Sequence, residues 1–401
     1  MILKGIRVLD FTQYLAGPTV TRLMAEMGAE IIKIERAPVG DPSRQLPAVK
    51  DGRSAYFVQQ NLGKQSLCMD LAHDASDEVI KDLVAKVDVV VENFGPGVME
   101  KRGWDYEAFK RINPKLLMAS ISAFGRNSPL SHKTGFDWIA QAFSGFMHMT
   151  GPADGSPHPV GVAVADVSAG VHAFSAIGYA LFNRERTGEG QWMDISMIDC
   201  LFAMHEMNLQ VPQVNPDFVP QRMGSHHPLI CPCGVYKSPN GYISLLIVQG
   251  QWKNMCKAMG RPDLETDPRF ADGLARAKHQ AELIPQIEAW MATFADDATL
   301  FYTMEDAVSK RSFRLSRSTI SACLAAAPTR SSSAIVSLQR VRPAKPWCWP
   351  CWSRTSAESS APIDPRRTPT AQSSSCPNPT SSSMARASGW CAITIRCRAR
   401  P

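Results

Sequence analysis

The 401-residue chain is 44% hydrophobic, enough for two or three domains with sizeable cores. Its formal net charge of +6 is uneven: from Arg311 onward 14 basic residues face two acids, so the body before it is mildly acidic, which disfavours a nucleic-acid partner. No basic, apolar leader opens the sequence, and no apolar run nears the ~20 residues of a membrane helix, so a cytoplasmic protein without membrane partners is expected.

In chain order, residues 6–10 read as a short apolar strand. Residues 18–27 read as a helix with Pro18 in its first turn and Gly28 just past its end, and 31–35 as a second strand. Strand, helix and strand within about thirty residues make a βαβ unit and predict a parallel sheet. The connecting loop, FTQYLAGP, holds only Gly17, so the dinucleotide glycine fingerprint is absent and Glu35 is expected to be a solvated strand end. Residues 66–71 read as a strand and 74–86 as a helix. The run VDVVVE at 87–92 has the β-branched character of a central parallel strand. It opens into Asn93-Phe94-Gly95-Pro96-Gly97, at the end of a strand where open α/β sheets bind ligands. Residues 116–123 form the next strand, followed by FGRN, and 138–147 read as helical.

Val160, Val162 and Val164 suggest a buried strand that stops at Asp166. Val171, Phe174, Ile177, Ala180 and Leu181 then recur at helical spacing, with Arg184 and Arg186 near the end and Gly188 as the stop. Asp166 therefore falls between a strand end and a helix start, where free N–H groups can hold a carboxylate ionised. As a plain helix cap it would contribute about 1 kcal/mol and need no room around it. As a nucleophile it would need space for a substrate, and Ser168, Ala169 and Gly170 leave that space. A long helix is expected over 193–209.

The fold class expected is α/β, a Rossmann-like doubly wound parallel sheet with a second, smaller α+β domain. The large domain spans 1–210, a Pro-rich linker 211–228 and the small domain 229–300. The small domain opens with a hairpin at 234–248, turning at Pro239-Asn240-Gly241, and has helices near 251–259 and 283–294. His226-His227 and Cys231-x-Cys233 fit no zinc spacing and are expected in an exposed loop, so no metal is expected. The five cysteines of the first 300 residues are scattered, as suits reduced thiols in a cytosolic protein.

Several stretches match one family in order: GIRVLDFTQYLAGP, AEMGAEIIKIER, NLGKQSLCMDL, VVENFGPGVMEKRGW, ADVSAG, RTGEGQWMDISMID, VYKSPNGYISL and RPDLETDPRF. Over roughly residues 1–300 the chain resembles the family III CoA-transferases, the group of formyl-CoA transferase and carnitine CoA-transferase. The resemblance implies a CoA-binding Rossmann-like domain, a small domain and an interlocked homodimer. It places the nucleophile at Asp166 and CoA contacts at Ala16, Arg36, Lys64, Asn93, Phe94 and Lys101, with Arg102 adjacent. Cations at strand ends suit the phosphates of coenzyme A, and Phe94 offers a face to its adenine. Acyl-CoA is then a substrate, and no permanent cofactor is implied.

Two departures concern the substrate pocket. Formyl-CoA transferase has a glutamine where this chain has Leu15 and a tyrosine where it has Phe136, so a bulkier, less polar acyl group is expected. The related α-methylacyl-CoA racemases use a histidine beside an aspartate, and here that pair reads Phe136-Asp137. A racemase with Asp137 as a proton-transfer base is the alternative within the family. An inactive CoA-binding relic, or an interaction module carried by the basic tail, is the alternative from another class.

From about Phe301 the motifs stop. Residues 311–401 hold 19 serines and one glycine, Gly389, while Trp347, Trp349 and Trp352 follow no helical or strand period. Cys348-x-x-Cys351 lacks both a second pair at zinc spacing and a redox context. The break has no linker, and the Ser, Arg, Pro, Ala and Cys that follow are what a slipped frame through GC-rich codons produces. Residues 301–401 are therefore expected to be out-of-frame translation. Translating the coding DNA beyond codon 300 in its other two frames should yield a C-terminus of the family's kind. If neither frame does, 301–401 is a genuine basic arm.

Overall fold

A computed structural model of the chain describes residues 1–293, apart from 48, 51 and 240, and a strand at 335–339. The out-of-frame reading of 301–401 lies outside the described residues except for that strand. The described chain divides into one compact unit over Met1–Pro228 and a second that starts at Leu229.

The first unit runs β1 (Arg7–Asp10), α1 (Ala16–Glu26), β2 (Glu30–Arg36), β3 (Val49–Lys50), β4 (Arg53–Ser54), α2 (Ala55–Asn61), β5 (Gln65–Met69), α3 (Ala75–Val84), β6 (Val89–Glu92), α4 (Val98–Lys101) and α5 (Tyr106–Ile112). It continues with β7 (Leu117–Ser122), α6 (Asp137–Phe143), α7 (Phe146–Met149), α8 (Val164–Thr187), β8 (Gln191–Ser196), α9 (Met197–Phe202) and α10 (Val211–Val214). Six strands pair in parallel in the order β5-β2-β1-β6-β7-β8. The chain winds outward from β1 to β5, returns to β6 beside β1, and winds the other way. That is the doubly wound order expected from the sequence, and its reversal lies between β1 and β6. Because every pair is parallel, all the C-terminal strand ends share one edge.

Alternation along the central strands builds two cores. Val8, Val89, Val91 and Leu117 face α1 and α8, meeting Val20, Met24, Ala169 and Ala173. Leu9, Val90 and Met118 face the other way, meeting Ile80, Val84 and Phe109 of α3 and α5. Small residues let α8 lie close: a methyl group at Gly170 would come within 2.8 Å of the Ala16 carbonyl oxygen. By length and composition α8 could cross a membrane, but its Ala169, Ala173 and Ile177 belong to this core.

Three expectations for this unit change. Val160–Val164 is not a strand: Gln141 Oε1 accepts from the Val160 N–H at 2.9 Å, and Gln141 Nε2 donates to the Val162 carbonyl at 3.4 Å. A side chain thus satisfies backbone groups that a neighbouring strand would otherwise take, and Asp166 falls in the first turn of α8. Residues 193–209 are not one helix, because Met193 and Ile195 are buried at alternate positions of β8, which pairs with β7. Ser196 then ends the strand and caps α9, accepting from the Asp199 N–H at 3.2 Å. Glu35 is not solvated. It is buried and accepts from Arg44 Nε, Arg44 Nη2, Ser66 Oγ and the Asp41 N–H at 2.6–2.8 Å.

The second unit holds β9 (Cys233–Ser238), β10 (Gly241–Leu246), α11 (Gln249–Ala258), α12 (Asp263–Thr266), α13 (Gly273–Lys278), α14 (Gln280–Met291) and β11 (Ile335–Gln339). The strands pair antiparallel in the order β11-β10-β9, so five residues of the 301–401 segment expected to be out of frame form a strand. Arg276 is buried here and donates to the Cys231 carbonyl, the Phe270 carbonyl and Gln249 Oε1 at 2.8–3.0 Å. That bond, and burial of the thiol, anchor Cys231 in the core instead of an exposed loop, while Cys233 opens β9.

Candidate active site

Helix α8 begins with Ala163 as its N-cap, which has no side chain to receive the first N–H groups. Asp137, in the first turn of α6, supplies what is missing. Its Oδ1 accepts from the Ala165 N–H at 2.7 Å and the Asp166 N–H at 3.2 Å, and its Oδ2 accepts from Gln141 Nε2 at 2.5 Å. The Asp166 carboxylate, one residue along, has no hydrogen-bond or ion-pair partner among the described residues. Burial, and then the negative charge of Asp137, push its pKa up to about 7.

Gly170 lies one turn beyond Asp166 on the same face of α8, and Gly170 packs on Ala16. Asp166 is therefore beside the start of α1. That start is uncapped: Leu15 gives no side-chain cap, Pro18 carries no N–H, and the Ala16 and Gly17 N–H groups meet no acceptor among the described residues. Tyr56 of α2 completes the cluster. Burial, and then the charges of Asp166, Asp41 and Asp137, push its phenol up to about 12, so it stays a hydrogen-bond donor at neutral pH. The sequence reading missed Tyr56, since nothing in AYFVQQN marks it.

The predicted pocket residues behave differently from one another. Leu15 is buried, whereas Phe136 is 71% exposed and meets Tyr14 edge-on, ring centroids 6.3 Å apart. Tyr14, also missed, is the one non-glycine residue with positive φ among those described, at 62°. Asp137 is buried and committed to the α8 N-terminus.

Of the expected CoA contacts, Ala16 is buried and can offer only its backbone N–H. Asn93 and Phe94 follow β6 at the sheet reversal. Asn93 Oδ1 accepts from the Gln13 N–H at 2.8 Å and Asn93 Nδ2 donates to the Gln13 carbonyl at 2.9 Å, bridging the loops after β1 and β6. The Phe94 backbone is held at both ends, its N–H by Glu92 Oε2 and its carbonyl by Arg126 Nη2, each at 2.9 Å. Arg36 and Lys101 are exposed on the same edge and have no side-chain partner among the described residues. Two others are not available as expected. Lys64 is buried, with Nζ 3.0 Å from Asp10 Oδ2, 2.9 Å from Asn61 Oδ1 and 3.3 Å from the Pro18 carbonyl, so its three donors are already taken. Burial holds it down to about 8 despite Asp10. Arg102 pairs with Asp77 at 2.8 Å and Ser76 at 2.9 Å and lies over the Trp104 ring.

Residues 3–346 match the family described as CoA-transferase family III. The chain belongs to that family. The family III match runs past Phe301, where the sequence reading ends the resemblance, and takes in β11. The chain is 39% identical over 316 residues to the succinyl-CoA:mesaconate CoA-transferase of Haloarcula hispanica, covering 76% of this chain and 78% of that one. It is 38% identical over 292 residues to the succinate–glutarate CoA-transferase of Agrobacterium fabrum, covering 70% and 72%. Among solved structures, a CAIB/BAIF family protein from Brucella suis aligns with a TM-score of 0.66 at 34% identity, covering 74% of this chain and 79% of that one.

The raised Asp166 carries a stability signature. Its carboxyl holds a proton more tightly folded than unfolded, so its contribution to stability is fully present below about pH 4 and is lost as pH rises through about 7. Asp166→Asn removes that loss. In urea denaturation it should gain on the order of 1–3 kcal/mol over the parent at pH 8 and much less at pH 4.5.

Proposed function

We propose that this chain transfers CoA between an acyl-CoA thioester and a free carboxylic acid through covalent intermediates on Asp166. The observation that carries this reading is a largely buried carboxyl, unpartnered among the described residues, beside an uncapped helix start on the edge of a doubly wound sheet where ligands bind. A carboxylate raised to about 7 is more basic than usual yet still ionised in good part at neutral pH, which suits a nucleophile.

The exchange is written as four acyl transfers. An Asp166 oxygen attacks the thioester carbonyl and CoA leaves as thiolate, giving a mixed anhydride. The thiolate attacks the Asp166 carbonyl of that anhydride and the first carboxylate departs, leaving an aspartyl-CoA thioester. The incoming carboxylate attacks this thioester and expels the thiolate, forming a second anhydride. The thiolate then attacks the acyl carbonyl of the second anhydride, releasing the new acyl-CoA and the Asp166 carboxylate. No proton is gained or lost overall. Each tetrahedral oxyanion needs a donor, and the Ala16 and Gly17 N–H groups, with the Tyr56 hydroxyl, are the groups assigned that role.

The exposed Tyr14–Phe136 pair supports an acyl group larger than formyl or oxalyl, consistent with relatives named for succinyl, mesaconate and glutarate substrates. Exposed Trp138, Phe143, Val171, Tyr179 and Phe182 on α6 and α8 support self-association into a homodimer. Asp137 argues for transfer over racemisation, since both its oxygens are engaged and a proton-transfer base needs one directed at substrate.

Asp166→Ala should abolish exchange while circular dichroism stays native. Acyl-CoA with hydroxylamine should convert Asp166 to a hydroxamate in the parent, visible by peptide mass. Full exchange in Asp166→Ala would sink the assignment and point to another nucleophile, whereas a parent that binds CoA without any exchange would leave a CoA-binding relic.

A second experiment separates transferase from racemase. In the parent, exchange should rise with pH through about 7 as Asp166 ionises, then level off. Asp137→Asn keeps an oxygen acceptor for α8 but removes the charge, so the rise should move to lower pH with activity retained. Under the racemase reading the same substitution removes the base, and α-proton exchange of a 2-methylacyl-CoA in deuterated water would cease.

A further inference from the structure

Ahead of α1, three consecutive residues are each held by a side chain from elsewhere in the fold. The Thr12 N–H and hydroxyl donate to Asp10 Oδ1 at 2.8 and 2.5 Å, and the Thr12 carbonyl accepts from Lys33 Nζ at 2.6 Å. Asn93 holds both backbone groups of Gln13. The Tyr14 N–H lies 3.4 Å from Asp41 Oδ1, itself fixed by the Ser43 N–H at 2.9 Å and Ser43 Oγ at 2.8 Å. Lys33 Nζ and Asp41 Oδ2 pair at 3.0 Å, and both side chains are sealed from solvent.

Two facts about this arrangement need a reason. A left-handed tyrosine is strained and persists only where its surroundings dictate it. A buried ion pair is also a weak stabiliser, since apolar residues of similar volume often serve a fold equally well. The Lys33–Asp41 pair and the Tyr14 turn explain each other. Lys33 fixes the carbonyl two residues before Tyr14, Asp41 receives the Tyr14 N–H, and the ion pair sets the distance between those two anchors. The turn then delivers the chain into α1 with Ala16 and Gly17 N–H groups unengaged and Asp166 beside them.

We propose that Lys33 and Asp41 are positioning residues of the transfer reaction, holding the strained Tyr14 turn so that the Ala16 and Gly17 N–H groups are aimed at the oxyanion formed at Asp166. Neither touches substrate, and the proposal rests on the transferase reading given above. Its physical content is preorganisation: donors already fixed when charge develops need no reorganisation during the reaction.

The test compares the full chain with Lys33→Met and Asp41→Asn, using a control variant, Arg184→Met. Arg184 pairs with Asp88 at 3.1 Å, at the opposite end of the sheet. Hydrogen–deuterium exchange should rise about tenfold in the 11–17 peptide of Lys33→Met and stay unchanged in the 189–196 peptide. Per folded enzyme, kcat for CoA exchange should fall about tenfold while KM changes little, the pattern of a lost transition-state contact. Asp41→Asn, which keeps volume and an acceptor, should move both readouts the same way by about threefold, and it decides the matter if Lys33→Met fails to fold. Arg184→Met should lower thermal stability without moving the 11–17 peptide or kcat. Parental exchange in the 11–17 peptide, or a loosened turn with parental kcat, overturns the proposal. A parent that shows neither CoA transfer nor an Asp166 hydroxamate overturns the transferase reading instead, so the two failures are distinguishable.

Discussion

Helix α8 starts without a capping side chain of its own, and Asp137 of α6 closes its first N–H groups from 28 and 29 residues away. An aspartate in the first turn often serves as its own helix's cap, a role worth about 1 kcal/mol. Because Asp137 takes that role, Asp166 is left without one. The same contact brings a second carboxyl close to the first. Asp137 accepts three hydrogen bonds, and Asp166 accepts none among the described residues; burial first, and then the charge of Asp137, lift the Asp166 carboxyl to about 7. One side chain thus caps α8 and adds to the lift that burial gives the Asp166 carboxyl.

The surrounding edge follows from the sheet order. Winding outward in both directions from β1 and β6 leaves a crevice between the loops that follow them. In many doubly wound proteins glycines let the first loop approach a phosphate closely. Here that loop carries one glycine, Gly17, and its path is fixed by side chains, chiefly Asn93 and Lys33. The absence of the dinucleotide fingerprint is therefore a difference in how the turn is built. The sheet order, set by strand burial, is unaffected by it.

Much of this was legible in the sequence where one face or one residue decides the outcome. Val89, Val90 and Val91 announce a strand buried on both sides, and Gly188 announces the end of α8 through its left-handed φ of 73°. Reading failed where a distant group decided. The valines at 160–164 have a strand's composition, but Gln141 takes the backbone groups that a strand would pair. Residues 191–196 show Met193 and Ile195 alternating around Asp194, but a continuing apolar run blurs that period into a helical one. Asp166 was singled out for the room its small neighbours leave, but Ala169 and Gly170 serve packing instead, with Ala16 and Thr19 filling the space at Gly170; the carboxyl beside it was visible only as half of a missing His-Asp pair.

Charge shows the same limit most clearly. Lys64 and Lys101 both follow glycine-bearing turns near strand ends, and sequence gives no reason to separate them. Lys64 is sealed because Asp10, 54 residues earlier, is buried at the C-terminal end of β1 and requires a counter-charge. Asp10 is held down to about 2 by Lys64, Lys33 and the hydroxyls of Thr12 and Thr21, against the desolvation that would raise it. Arg102 is similarly claimed by Asp77 of α3. Of the four predicted cations, Arg36 at the end of β2 and Lys101 at the end of α4 have no acid partner among the described residues, and they lie one on each side of the reversal between β1 and β6. A buried acid thus takes its counter-charge from whatever cation the fold brings near, which sequence position alone does not reveal. Arg36 and Lys101 differ from Lys64 and Arg102 in that no described acid takes them.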